Sequence, residues 1–219
     1  LTVTAATYTV SFYIYNDAGS SVSGATINFA GSSFGHGGST SVPAGSYSLS
    51  TGTIPSGYRF LRWETSGSIS VASSTSSSTT AAVSGSGSIT MRLQRIATVT
   101  FSASGLGSDA SGTVLTVDGT GYSYSQLPLS FTWDVGSSHS FAWADPVPST
   151  ASGKRYAWAS TSGLSTAKSG SITVPSGGGS VTATYRTQYQ LTIVVSPSGA
   201  GSTTPPPGSY WQDSGSTVT

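Results

Sequence analysis

The sequence predicts an all-β protein of two tandem antiparallel β-sandwiches followed by an incomplete third repeat. Apolar and polar residues alternate in runs of about five to eight residues, which is typical of strands with one buried face. No apolar pattern with a period of about 3.6 residues is sustained, so no helix is predicted. Residues 84–101 and 176–193 align without a gap, 92 positions apart, a spacing that suits a small sandwich.

The first repeat, 1–96, contains the clearest strand, at 7–15, where four apolar side chains share one face. Further strands are predicted in 22–30, 58–65, 68–71, 81–83 and 88–95, with strand, turn and strand in 41–49. Turns are predicted at 16–19 and 54–57, and loops at 31–38 and 73–80. The four apolar residues of the first strand are Tyr8, Val10, Phe12 and Ile14.

The second repeat, 97–187, follows the same plan. Strands are predicted at 98–101, 113–118, 131–135, 138–143, 154–160, 171–174 and 180–186, with an extended stretch at 122–127. Residues 153–163 align with 57–67, but Trp63 and Trp158 fall one place apart. Because a one-residue shift in a strand reverses the face, the register of these two tryptophans stays open.

The third repeat starts at 188 and is expected to be incomplete at Thr219. Its Asp-Ser-Gly-Ser at 213–216 repeats the Asp-Val-Gly-Ser at 134–137. About three strands are too few to close a core, so the tail is expected to expose apolar faces and strand edges. The start at Leu1 shows no leader-like apolar segment, which indicates a cleaved leader or an internal piece of a longer protein.

Charge is scarce, at 7% of residues, and the net charge is +1. The eight basic residues are scattered, so the sequence offers no electrostatic basis for binding nucleic acid. The longest apolar run, 191–195, is far too short to span a membrane. The absence of cysteine excludes disulfides and thiolate metal sites.

Roughly a third of the residues are Ser or Thr. A Ser/Thr-coated surface with little charge suits a protein outside the cell, where O-linked sugars would supply the solubility that charge does not. Asn, Gln, Cys and Met, the thermolabile side chains, are few, which favours a thermophilic source. The sequence therefore predicts an extracellular, cell-surface location.

Several motifs carry a family resemblance over nearly the whole chain. The polar turn and Gly-Ala-Thr-Ile of 16–27, followed by Pro-Ala-Gly-Ser-Tyr at 43–47, resemble transthyretin-like or Ig-like Greek-key sandwiches of surface proteins. Residues 57–63, 99–107 and 189–216 are similar to repeats of bacterial and archaeal adhesins, cell-wall proteins and large archaeal surface proteins. The resemblance implies structural, stalk or adhesive units without catalytic residues.

Catalytic and metal sites find little support. A Ser/His/Asp triad could be drawn with His36 or His139, but no nucleophile elbow is present, and both histidines are interpreted as ordinary loop and strand residues. Glu64, the single Glu, has no Asp near it for glycoside cleavage. The aspartates are isolated, unlike those of a calcium loop. The chain is predicted to be no enzyme and to use no cofactor or metal.

Two binding chemistries stay open. Trp133, Trp143 and Trp158 could form a platform for sugar rings, although aromatics in a chain short of Leu and Ile more often fill the core. Sandwiches of surface fibres also form Lys–Asn/Asp isopeptide bonds beside an acidic catalyst. The first repeat has no Lys, and the second has Lys154 and Lys168 but neither Glu nor Asn, so an intramolecular bond is not expected and an intermolecular one stays open.

The function that these features favour is a structural subunit of an extracellular filament or cell-surface assembly. Its partners would be other copies of itself, joined by strands that complete the unfinished repeat. The alternatives are a carbohydrate-binding or adhesive module for surface glycans, and an accessory region of a larger secreted hydrolase. The candidate inter-subunit strand residues are Tyr8, Val10, Phe12, Ile14, Leu191, Ile193, Val195, Tyr210 and Trp211.

Overall fold

The structure is a computed structural model that describes residues 5–197 and 200–217. The start of the predicted first repeat, 1–4, and two short parts of the predicted third repeat, 198–199 and 218–219, therefore lie outside the described residues. The chain divides into two compact units, Leu1–Ile96 and Ala97–Thr219. All described regular elements are strands except for one 3-10 turn, Tyr124–Gln126, so the predicted all-β class is confirmed.

Unit one is a sandwich whose two sheets share their longest strands. It contains β1 (Thr7–Asn16), β2 (Ile27–Phe29), β3 (Ser32–Phe34), β4 (Ser39–Pro43), β5 (Gly45–Thr51), β6 (Tyr58–Val71) and the part of β7 (Ser78–Ser104) up to Ile96. The loop predicted at 31–38 therefore holds a short strand, and the last three residues of the loop predicted at 73–80 belong to β7, which begins at Ser78.

Two layers follow from the strand pairing of unit one. In one layer β4 pairs with β1, β1 pairs in parallel with 87–93 of β7, and β7 pairs with 58–67 of β6. In the other, β3, β2 and β5 lead to 78–83 of β7. β6 and β7 both pass from one layer to the other near Gly67. Gly67 has a φ of +68°, and a Cβ at this position would meet the backbone of Ser86. Glycine is required at this corner.

The core of unit one lies between these layers. Alternation on β1 buries Val10, Phe12 and Ile14 completely, and the facing layer contributes Ile27 and Phe29. Such alternation follows from the period of two in a strand, because every second side chain faces the other sheet.

Unit two repeats the arrangement with its own strands. They are the rest of β7, β8 (Leu115–Val117), β9 (Thr120–Tyr122), β10 (Leu129–Asp134), β11 (Ser138–Trp143), β12 (Val147–Pro148), β13 (Lys154–Gly163), β14 (Ser169–Thr173), β15 (Gly179–Ile193) and β16 (Gly208–Asp213).

One layer of unit two runs β10, β7, β15, β13 and β12, and the other runs β14, β11, β8 and β9. In the first layer 99–104 of β7 pairs in parallel with 179–184 of β15, as β1 does with β7 in unit one. The core between the layers includes Phe101, Trp143 and Tyr156. Bulges between Phe60 and Arg62 and between Trp158 and Ser160 explain the ambiguous tryptophan register.

Candidate functional site

The candidate site is the hairpin formed by 188–193 of β15 and by β16, called here the tail hairpin. Its antiparallel register places Leu191 opposite Tyr210, with Tyr189 opposite Gln212 and Ile193 opposite Gly208. Residues directly opposite share a face, so one face carries Tyr189, Leu191, Ile193 and Tyr210. That face is apolar and poorly covered, since Tyr189 is 50% exposed and Leu191 is 36% exposed.

The tail hairpin repeats the strand pair that opens unit two, formed by 96–104 of β7 and by β10 and called here the entry hairpin, although β8, β9 and the 3-10 turn lie between these two strands in the chain. In the entry hairpin Thr98 Oγ1 lies 3.4 Å from Thr132 Oγ1, which marks the cross-strand register. Both hairpins end in the turn predicted from the repeated Asp-X-Gly-Ser. Ser137 Oγ donates to the Asp134 carbonyl at 2.6 Å, and Ser216 Oγ donates to the Asp213 carbonyl at 2.7 Å.

What distinguishes the tail hairpin is the strand beside it. In unit one β1 lies beside 87–93, and in unit two the entry strand lies beside 179–184, both in parallel. At the tail, β13 pairs with β15 as far as Tyr189, and the Gln190 amide donates to the Gly153 carbonyl at 2.8 Å. Among the described residues no strand pairs with this edge beyond that point. Within the described part of the chain, the edge from Leu191 to Ile193 is therefore open.

The opposite face of the tail hairpin is fastened to unit two. The guanidinium of Arg155 lies 4.3 Å from the ring centroid of Trp211, and its Nε donates to Gln188 Oε1 at 2.8 Å. Gln188 Nε2 then donates to Asp213 Oδ1 at 2.8 Å. These contacts hold the hairpin in place while its apolar face stays exposed. Trp211 therefore belongs to the anchored face, while Val195 lies just past the strand and is partly exposed.

The other candidate strand residues lie elsewhere. Val10, Phe12 and Ile14 are fully buried in the core of unit one, and Tyr8 packs against that core. The strand that carries them is paired on both sides, with β4 and with β7. In this structure the four side chains are used within their own unit.

The three tryptophans of the predicted sugar platform do not form a common exposed surface. Trp143 is 3% exposed in the core. Trp133 is stacked between His139 and Phe131, with ring centroids 3.7 and 4.7 Å away. Trp158 Nε1 donates to Thr161 Oγ1 at 3.1 Å. The three lie on β11, β10 and β13, and the core interpretation of Trp143 fits its burial.

The structure also assembles a constellation that sequence reasoning set aside. Ser137 Oγ lies 2.9 Å from His139 Nε2, and His139 Nδ1 lies 2.7 Å from Asp118 Oδ2, the connectivity of a Ser-His-Asp triad. Burial raises the pKa of Asp118, but hydrogen bonds from His139 and Ser140 outweigh it, so the pKa is lowered. The signal that could have found it is the pairing of β8 with β11, which needs the fold.

The geometry of Ser137 favours a structural role for this constellation. A hydroxyl has one proton to donate, and the shorter contact of Ser137 Oγ is with the Asp134 carbonyl. Ser216 makes the same contact in the tail hairpin, where the chain has no nearby histidine. We infer that the serine stabilises the turn and that His139 is fixed between it and Asp118.

The Lys residues of unit two are held in ion pairs. Lys154 Nζ lies 2.9 Å from Asp109 Oδ2, which also accepts from Ser149 Oγ at 2.5 Å, while Tyr156 donates to Asp109 Oδ1 at 2.5 Å. Hydrogen bonds from Ser149, Tyr156 and Lys154 hold the pKa of Asp109 far below its usual range. Bonds to Tyr156 and Asp109 raise the pKa of Lys154.

An isopeptide bond needs the reverse of this protonation pattern. A neutral amine must attack a protonated carboxyl, with loss of water, whereas Lys154 and Asp109 stabilise each other's charged forms. Lys168 Nζ likewise faces Asp145 Oδ2 at 3.2 Å. Both lysines therefore act as ion-pair partners here. Within 5–197 and 200–217, no three His, Asp or Glu side chains gather as metal ligands. No helix in the described ranges is long and apolar enough to cross a membrane.

Comparisons with known proteins give weak similarities. The chain matches no protein-family model and no curated protein. Among solved structures it is similar to the Bacillus anthracis TIE protein, with 8% identity, a TM-score of 0.35, and coverage of 88% of this chain and 37% of that one. It is also similar to the pilus adhesin SpaC from Lactobacillus rhamnosus GG, with 10% identity, a TM-score of 0.28, and coverage of 81% and 31%.

A third similar structure is the major pilin from Streptococcus pyogenes, with 12% identity, a TM-score of 0.26, and coverage of 84% of this chain and 99% of that one. The chain spans only about a third of the length of the TIE protein and of SpaC. These TM-scores are too low to establish a common fold, and they establish no function for this chain.

Proposed function

We propose that this chain is a structural segment of an extracellular assembly, and that copies of it join by strand addition at the tail hairpin. The observation that carries the proposal is the open edge at Leu191–Ile193, with the exposed side chain of Leu191 beside it. An unpaired strand edge next to an apolar face binds an added strand through backbone hydrogen bonds and side-chain burial.

The two complete units indicate the chemistry of a strand that would pair with this edge. In each unit the strand in the equivalent position is parallel to its neighbour and alternates small polar with apolar residues. Unit one uses Ser-Ile-Thr-Met at 88–91, and unit two uses Ser-Val-Thr-Ala at 180–183. The added strand should therefore run parallel to 191–193 and carry Ser or Thr between apolar residues.

The donor that we propose is the segment 1–6 of a second copy. Its sequence at 3–6, Val-Thr-Ala-Ala, matches three of the four residues of Val-Thr-Ala-Thr at 181–184. This segment precedes β1, which begins at Thr7, so β1 can stay paired within unit one while the segment pairs with another copy. The donor role predicted for Tyr8, Val10, Phe12 and Ile14 is thereby moved to the residues before them.

The low charge and Ser/Thr-rich surface of the chain fit such a role outside the cell. Only 15 of the 219 residues are Lys, Arg, Asp or Glu. Hydroxyl-rich strands offer acceptor sites for O-linked sugars, which would keep the assembled protein soluble. Intact-mass measurement on native material tests this part of the proposal, because a mass equal to that of the bare chain would remove the sugars from it.

A mixing experiment tests strand exchange. Val3→Asp would disable the donor, and Ile193→Asp would disable the acceptor, because a buried charge opposes strand addition. We expect the unchanged chain to form a concentration-dependent series of oligomers, each variant alone to stay monomeric, and an equal mixture of the two to stop at dimers. Mass photometry or analytical ultracentrifugation distinguishes these cases.

Matched controls keep the result interpretable. Thr192→Asp changes the neighbouring residue on the other face and should weaken assembly much less than Ile193→Asp. The far-ultraviolet circular dichroism of every variant should match that of the unchanged chain. A chain that stays monomeric at all concentrations, with a mixture that forms no dimer, would overturn the proposal.

A further inference from the structure

The outer face of unit one contains two arginines in an unfavourable arrangement. Arg62 on β6 and Arg92 on β7 are directly opposite each other across the two strands. Like charges in directly opposite positions destabilise a sheet. The chain has only eight Lys and Arg residues, so two of them in this arrangement call for an explanation beyond stability.

Glu64 holds both guanidinium groups in place. Arg62 Nη2 lies 2.6 Å from Glu64 Oε1, and Arg92 Nε lies 2.8 Å from Glu64 Oε2. Burial raises the pKa of Glu64, but the hydrogen bonds from the two arginines outweigh it, so its pKa is lowered and it stays ionised. One carboxylate thus orders two cations and neutralises only one of them.

A cleft of about 510 Å³ lies beside this pair. Its other charged wall residue, Asp17, is engaged by Arg95, whose Nε lies 2.8 Å from Asp17 Oδ1. With three arginines and two carboxylates around the cleft, one positive charge is in excess. The residues that line the cleft are Asn16, Asp17, Ala18, Gly19, Leu61, Arg62 and Arg92.

Two tyrosine rings continue from the cleft along β1. The rings of Tyr13 and Tyr15 lie nearly parallel, at 16°, with centroids 6.3 Å apart, and both are partly exposed. The guanidinium of Arg92 lies 5.2 Å from the centroid of the Tyr15 ring. His36 stands edge-on to Tyr15, with ring centroids 4.9 Å apart. The rings of Tyr13 and Tyr15 thus lie at one end of an arginine-lined cleft.

We propose that this face of unit one binds an acidic polysaccharide. The anionic group of one sugar enters the cleft against Arg62 and Arg92, because planar guanidinium groups bind carboxylate or sulfate oxygens through paired hydrogen bonds. The neighbouring sugar rings pack against the exposed parts of Tyr13 and Tyr15, since aromatic rings pack against the apolar faces of sugars. A neutral glycan would leave the excess charge of the cleft unmatched.

Isothermal titration calorimetry at low salt with three defined probes tests the proposal. The probes are a galacturonate oligosaccharide, a sulfated dextran oligosaccharide and neutral dextran. We expect at least one acidic probe to bind and neutral dextran not to bind. The two acidic probes distinguish a carboxylate from a sulfate ligand. Binding should weaken in about 1 M salt, where charges are screened beyond about 3 Å.

Variants locate the binding surface. Arg62→Gln and Arg92→Gln should each weaken binding about tenfold, the loss of one charge-assisted contact. Tyr15→Ala should also weaken binding. Arg62 is 49% exposed, so its variant should fold normally even if the Arg92 variant does not. Lys168→Gln, which removes a 44% exposed cation from unit two, is the matched control and should leave binding unchanged.

Three results would overturn this inference. The first is failure of both acidic probes to bind. The second is weakening of sugar binding by Lys168→Gln equal to that by the arginine variants. The third is binding of poly-glutamate as tight as that of the acidic sugars, which would indicate a protein partner. Val3→Asp and Ile193→Asp should bind the sugars normally, so that failure of sugar binding and failure of strand exchange are observed separately.

Discussion

The entry hairpin and the tail hairpin have the same local structure and opposite surroundings. Both pair antiparallel strands and end in an Asp-X-Gly-Ser turn, with glycine φ values of 86° and 81°. In the entry hairpin Val99 is fully buried under a second sheet, whereas its equivalent in the tail hairpin, Leu191, is 36% exposed. The cross-strand pairing and the turn after the second strand are therefore the same in both places, and covering of the apolar face is a separate, tertiary event.

This difference shows which contacts stabilise each hairpin. A hairpin alone is marginally stable in water, and burial of its apolar face provides most of the stabilisation. The tail hairpin is held instead by Arg155, Gln188 and Asp213, whose contacts lie on its other face. Its apolar face thus stays partly exposed without loss of these contacts.

Truncation at equivalent positions should separate the two hairpins most strongly. Phe101→Ala is expected to lower the free energy of unfolding of unit two by about 3–5 kcal/mol, because it leaves a cavity in the core. Ile193→Ala, at the equivalent position of the tail, should cost less than about 1 kcal/mol. Urea denaturation followed by tryptophan fluorescence measures both values. Equal losses would mean that the tail is covered in solution.

The second comparison concerns two aspartates with different surroundings. Asp109 accepts from Ser149, Tyr156 and Lys154, which lower its pKa in the folded state. Its stabilising contribution is present above the unfolded-state pKa of about 4 and is lost as the pH falls below it. Asp109→Asn should therefore lower the melting temperature at about pH 7, and the difference from the unchanged chain should shrink below about pH 4.

Asp213 serves as the matched position in the tail. It is 38% exposed in its pair with Arg186, at 3.5 Å. Asp213→Asn should change the melting temperature of unit two little, because exposed pairs contribute about 0–1 kcal/mol. Differential scanning calorimetry between about pH 3 and pH 7 measures both variants. A pH-independent difference for Asp109→Asn would contradict the assigned role of its carboxylate.

The sequence predicted much of this comparison because the shared features are local. Alternation identified β1, and the repeated Asp-X-Gly-Ser identified two equivalent turns, since both signals depend on neighbouring residues. The register of Trp63 and Trp158 could not be predicted from the sequence, because bulges in β6 and β13 shift the pairing. Two arrangements depend on cross-strand pairing between distant residues and have no local signal. One is the cluster of Asp118, Ser137 and His139, where 21 residues separate Asp118 from His139. The other is the opposed pair Arg62 and Arg92, which are 30 residues apart.

The turn glycines allow a finer test of equivalence. Gly136 and Gly215 have positive φ, and no neighbouring atom lies within 4 Å of the position that a Cβ would occupy, so alanine there introduces backbone strain alone. The local cost is about 1–2 kcal/mol in each turn. Gly136→Ala should appear in the global stability of unit two, whereas Gly215→Ala should appear only as faster hydrogen exchange in β16. A global effect of Gly215→Ala would show that the tail unfolds together with unit two.

The serines of the same turns give a small expected effect on stability and decide the role of the His139 cluster. Ser137→Ala and Ser216→Ala each remove one hydroxyl contact to a backbone carbonyl, worth about 0.5–1.5 kcal/mol. If Ser137 only stabilises its turn, Ser137→Ala lowers the stability of unit two by that amount and leaves ester hydrolysis at the level of the unchanged chain and of Ser216→Ala. A chromogenic acetate ester measures hydrolysis. A turnover that disappears in Ser137→Ala but persists in Ser216→Ala would show that the His139 constellation is catalytic, because the two turns differ in the histidine and not in the serine contact.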